Sequence, residues 1–185
     1  ICTNQSINTG APSNSGITNI RIPCETFQSL SSFLDFYYVK ILSGSTFTFL
    51  VTPVGKDDYD FAAFLNPNWA NINATPNANK RGSQNNPTAT GIYIQGLSLT
   101  ATDLCESGGS SGLPEPGVVR YFDVKPGDEI LIVIDRWSRT NQGYTMSFAG
   151  GGDAILDCTI VGNTYKKCES IGSNDVLYEK QDFIS

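Results

Sequence analysis

Phe47-Thr48-Phe49-Leu50-Val51-Thr52-Pro53, then Lys56-Asp57-Asp58-Tyr59-Asp60-Phe61, then Ala62-Ala63-Phe64-Leu65: two apolar runs bracket a short acidic turn. Aromatic and β-branched side chains suit a pleated surface, so both runs read as strands. Asp57, Asp58 and Asp60 place three carboxylates within four residues. An acidic turn at a strand edge either stays solvated or holds a hard cation. That choice separates an inert β-domain from a calcium-dependent surface module.

Working outward, Asp35–Ile41 reads as a strand, Ser43-Gly44-Ser45 as a turn, and Thr46–Thr52 as the second arm of a hairpin. Residues 66–91 read as a long Asn/Pro-rich insertion, either functional or mobile. Tyr93–Leu99 is a short strand and Thr102–Gly109 a Gly-rich loop. Val118–Val124 is a strand, Lys125-Pro126-Gly127-Asp128 a strong turn, and Glu129–Asp135 the most apolar, central strand. Arg136–Gln142 is a loop, Tyr144–Phe148 alternates as a half-buried strand should, and Gly150-Gly151-Gly152 closes the sheet. Strands at this spacing, without helical periodicity, predict an all-β, two-sheet, jelly-roll-like β-sandwich with long loops. The module spans 1–158, with a polar N-terminal segment at 1–30. Residues 159–185 read as a linker or the start of a following module.

Composition agrees. The chain has 185 residues, enough for one well-buried core. Only 16% are charged, against an average of about 25%. The net charge of −6 offers no basic stripe, which argues against nucleic acid and against anionic membrane surfaces. No apolar run approaches the roughly 18 residues of a spanning helix, so membrane insertion is not expected. The N-terminal stretch does not read as a signal peptide, and Ile1-Cys2 reads as the start of a mature or excised fragment.

Five cysteines and no histidine disfavour zinc and fit an oxidising, extracytoplasmic compartment. Cys2–Cys24 and Cys158–Cys168 are the expected pairs, leaving Cys105 odd. Cys105–Cys158 with Cys168 free is the alternative, since connectivity is not written in sequence.

Asp57-Asp58-Tyr59-Asp60-Phe61-Ala62, Val124-Lys125-Pro126-Gly127-Asp128 leading to Leu131-Ile132-Val133-Ile134-Asp135-Arg136-Trp137-Ser138, and Gly143-Tyr144-Thr145-Met146-Ser147-Phe148 follow one another in this order. Over residues 30–158 the chain resembles β-sandwich modules of large cell-surface proteins of Bacteroidetes. These are exported by the type IX secretion system and include gliding-motility adhesins. The modules are similar to bacterial pre-peptidase C-terminal domains. The Gly-Gly-Gly-Asp-Ala-Ile-Leu-Asp-Cys exit is also similar; the Asn/Pro insertion and Cys105 are departures. The resemblance implies a secreted, modular, non-catalytic role at the cell surface, beside neighbouring modules of the same chain.

The first candidate site is for Ca²⁺, which takes six to eight oxygens. Asp58 and Asp60 project from one side of the turn. Asp103 and Glu106 lie in a Gly-rich loop, and Asp135 ends the central strand with Asn141 close in sequence. In the competing reading Asp57 and Asp58 are turn formers and Asp135 caps its own loop. The second candidate is a surface for an extracellular glycan or surface partner, carried by Trp69 and Tyr59. Trp137, after the central strand, is assigned to core packing. Catalysis is not expected. Histidine-dependent nucleophiles are excluded, nothing selects a pair of acids for glycoside hydrolysis, and Cys105 has no basic neighbour. A calcium-stabilised surface module, a carbohydrate-binding module of a secreted enzyme, and a ligand-free spacer are the functions these residues allow.

Overall fold

Tyr59–Leu65 is buried at every position, which a strand achieves when both faces of its sheet are covered. The computed structural model describes residues 6–12, 15–16, 19–21, 30, 33–84, 91, 93–106, 117–137, 142–148 and 150–158. Among them the strands are β1 (Ser6–Thr9), β2 (Leu34–Ser43), β3 (Thr46–Phe47), β4 (Phe49–Pro53), β5 (Tyr59–Leu65), β6 (Lys80–Ser83), β7 (Gln95–Ser98), β8 (Cys105–Glu106), β9 (Val118–Arg120), β10 (Phe122–Asp123), β11 (Glu129–Arg136), β12 (Tyr144–Ser147) and β13 (Ile155–Leu156).

One sheet has the order β13-β2-β11-β5-β6-β8 and the other β1-β12-β4-β7-β9, with β3 and β10 forming a short ribbon. The two sheets pack as a β-sandwich. Phe49 meets Phe61 edge-on at 5.3 Å between ring centroids, and Tyr59 meets Tyr144 at 5.0 Å. β11 lies between β2 and β5, the central place its apolar sequence predicts. Side chains alternate across a strand, so Tyr59, Phe61, Ala63, Leu65, Ile130, Ile132 and Ile134 face the sandwich interior. Leu34, Ala62, Phe64, Leu131 and Val133 face outward, where Ile20, Leu30 and Ile72 cover them. Burying a side chain of Phe61's size contributes about 1.5–3 kcal/mol.

Three local expectations are corrected. β2 and the following run do not form a hairpin: β2 pairs with β11 and β13, and β4 with β12 and β7. The run also breaks at Thr48, whose hydroxyl accepts from the Gly152 N–H at 3.0 Å. The expected insertion holds 3₁₀ turns at Ile72–Ala74 and Asn77–Asn79, and then β6. The sheet continues past the triple glycine as β13 on the edge of β2.

β6 lacks an apolar signature because its buried side chains are Arg81 and Ser83. Arg81 Nε donates to the Arg120 carbonyl at 2.9 Å and Nη1 to the Ala78 and Lys80 carbonyls. Nη2 donates to the Tyr121 carbonyl, and the guanidinium lies 4.6 Å from the Phe122 ring centroid. Desolvation, then the charge of Arg120, lowers its pKa to about 10.

The chain passes from β2 to β3 at Gly44, whose φ is +98°. A Cβ there would stand 2.5 Å from the Asp153 carbonyl oxygen and 2.6 Å from Ala154 Cα. The Asp153 carboxylate also accepts from the Ser45 and Thr46 N–H groups at 2.8 and 2.6 Å. Gly44→Ala is therefore expected to destabilise by about 1–3 kcal/mol, read from the shift in a denaturant midpoint. An unchanged midpoint contradicts the close approach.

Candidate functional site

Strand register assembles the acidic site. β5 and β11 are antiparallel with Asp60 directly opposite Asp135. Residues so paired have Cβ atoms about 4.5–5.5 Å apart on one face, and like charges there repel. Asp60 shares the outward face with Ala62 and Phe64, and Asp135 shares it with Leu131 and Val133. Asp58 stands two residues before Asp60, so the spacing of two, read in the sequence as one side of a turn, adds a third carboxylate at the same strand end. Asp135 is fully buried and Asp60 only 4% exposed.

The electrostatics follow. Asp58 is pushed up to about 6, first by desolvation and then by Asp135. Asp60 is raised well above the ordinary carboxylate range by desolvation, then by Asp58, then by Asp135. The charges acting on Asp60 are thus both negative. Asp57, read in the sequence as a solvated turn former, is instead buried, and its Oδ2 meets no hydrogen-bond donor.

These shifts fix a pH dependence for the metal-free protein. A carboxyl whose folded pKa lies above its unfolded value binds more protons when folded. Its favourable contribution is complete below about pH 4 and is lost as pH rises through the folded value; for Asp58 that limit is about 6. The chelator-treated protein is expected to melt higher at pH 5 than at pH 7. A higher melting temperature at pH 7 contradicts the shared burial of the trio.

The inner face of the same strand end carries a separate network. The Tyr144 hydroxyl donates to Asp35 Oδ2 at 2.8 Å and lies 2.6 Å from the Tyr37 hydroxyl. Asp35 is raised chiefly by desolvation. Asp35 stands opposite Ile134, whose side chain faces inward, so the sheet separates it from the trio.

Asp103 and Glu106 do not join the trio. β8 pairs in parallel with β6, with Glu106 opposite Ser83, and β6 in turn pairs with β5. That sets Glu106 two strands away from β5, about 10 Å. The carboxylate acting on Glu106 is Asp103, and the Asp103 carbonyl is held by the Arg120 N–H at 2.7 Å. Asn141, Cys2, Cys24 and Cys168 lie outside the described residues. Cys105 and Cys158 are each disulfide-bonded.

The aromatic side chains lie in different settings. Tyr59 is a core residue: its hydroxyl donates to the Gln142 carbonyl at 2.5 Å and its ring packs on Tyr144. Trp69 is half-buried over the outward face, 6.0 Å from the Tyr38 ring, with Nε1 donating to Glu129 Oε2 at 3.2 Å. It serves as cover for the sheet. Trp137 is 57% exposed. It falls two residues past Asp135, beyond the apolar patch and at the acidic end, and its N–H donates to the Asp58 carbonyl at 3.0 Å.

Among the described residues no three Cys, Asp or Glu side chains are gathered closely enough to hold a metal ion as they stand. No helix among them is long and apolar enough to cross a membrane. No protein-family model, curated protein or solved structure matches the chain.

Proposed function

We propose that this chain is a non-catalytic β-sandwich module of a secreted cell-surface protein, acting in adhesion or gliding motility, in which Ca²⁺ neutralises Asp58, Asp60 and Asp135. The observation that carries the metal is Asp60: a carboxyl enclosed on a sheet face, opposite a second Asp, with only negative charge acting on it. Leaving such a group charged and unpaired is costly. A hard cation with carboxylate ligands removes the cost, and the half-buried Asp58 supplies the third carboxylate at the same strand end. The surface and adhesive parts of the reading are supported by the family resemblance of the DYDFA and IDRWS…GYTMSF runs.

Calcium at about a hundred times its Kd adds about 2.7 kcal/mol, worth roughly 5–10 °C in a chain of this size. A melt with calcium and with EGTA should show that rise; identical midpoints overturn the metal part. Microspheres bearing the chain should be retained under flow better than linker-only spheres. Equal retention contradicts the adhesive part.

A further inference from the structure

We propose that the sandwich holds an ordered internal water along the edge where its two sheets meet, bridging the Gln95 amide on β7 to the Ser83 hydroxyl on β6. The first observation is Gln95. It stands opposite Val51, and Leu97, two residues on, stands opposite Phe49. Val51, Leu97 and Phe49 all belong to the inner core, so the Gln95 side chain points between the sheets. The residue is 1% exposed, and neither its amide oxygen nor its amide nitrogen meets a hydrogen-bonding group among the described residues.

Ser83 enters the same interior from the other sheet. It stands opposite Phe61, an inner-core residue. It is fully buried, and its Oγ is likewise without a partner among the described residues. The two strands meet: β6 and β7 are in contact across the sandwich. Arg81 of β6 donates to the Arg120 carbonyl of β9, and β9 is the parallel neighbour of β7. Shutting polar groups away from water without a partner is costly, and here three such atoms stand among apolar side chains. A buried water, making about three hydrogen bonds, is the usual occupant of a polar site of this kind. It accepts from the amide N–H, donates to an amide or hydroxyl oxygen, and brings no charge into the core. An apolar molecule would leave all three atoms unpaired. The water then joins the two sheets through side chains that hydropathy would place at the surface.

The test uses the full chain and two readouts. A crystal structure at a resolution that shows ordered solvent should place an oxygen peak within hydrogen-bonding distance of both the Gln95 amide and Ser83 Oγ. In solution, the side-chain N–H groups of Gln95 in isotope-labelled protein should give cross-peaks at the water frequency, of opposite sign in NOESY and ROESY spectra. That sign change marks a water held far longer than surface solvent. In crystals of Gln95→Leu the peak should be gone; a peak that stays shows a water held by other groups and overturns the inference. If Gln95→Leu does not fold, the two wild-type readouts decide alone. A direct Gln95–Ser83 hydrogen bond, no density at the site, density of a molecule other than water, or absent cross-peaks each overturns it.

Discussion

Asp60→Asn is expected to raise the melting temperature of the chelator-treated protein and to abolish the rise that calcium gives the wild type. In the folded chain Asp60 is enclosed, opposite Asp135, and pushed toward its neutral form by Asp58 and Asp135. The amide is nearly the same size and carries no charge, so the repulsion across the β5–β11 pair disappears. Removing a buried, uncompensated charge is worth about 1–3 kcal/mol. The same substitution deletes a calcium ligand, so the mutant's midpoints with and without calcium should coincide. It should also lose most of the fall in stability between pH 5 and pH 7. A mutant less stable than wild type in EGTA, or one that still responds fully to calcium, contradicts this assignment of Asp60.

The second large effect lies on the far side of β5. Arg81→Met keeps the apolar stem and removes the guanidinium that donates to the carbonyls of Ala78, Lys80, Arg120 and Tyr121. The Arg120 and Tyr121 carbonyls tie β6 to β9 and to the segment leading into β10. Hydrogen bonds from a charged donor contribute about 1.5–3 kcal/mol each and do not add fully. A loss of about 3–5 kcal/mol is expected once the acceptors stay buried without a donor, or roughly 6–20 °C. Because Arg81 is remote from the acidic end, the loss should be equal with and without calcium. A loss under about 1 kcal/mol would show the guanidinium to be replaceable.

The central strands were legible because each is a run of apolar residues: Glu129–Asp135 and Phe61–Leu65 signal burial without help from the rest of the chain. β6 was hidden because Arg81 is buried through carbonyl acceptors and Gly82 and Ser83 through small size, which hydropathy does not record. The break at Thr48 depends on a hydrogen bond from Gly152, far away in the chain. Asp58 and Asp60 could be read from their spacing of two. Asp135 joined them only through the register of two strands distant in sequence, and Asp103 and Glu106 were excluded by a parallel pairing that no local pattern announces. Trp137 was misassigned for a related reason. Whether an aromatic next to a strand is covered depends on which face its register gives it and where the apolar patch on that face ends.

The most direct test of the acidic strand end as a cation site is calorimetric titration of Ca²⁺ into EGTA-stripped, dialysed protein at pH 7, beside Asp60→Asn. A saturable isotherm of one ion per chain, absent in the mutant and weakened at pH 5 as protons compete for Asp58 and Asp60, is the predicted result. No saturable heat in the wild type, or the same isotherm in Asp60→Asn, would contradict it.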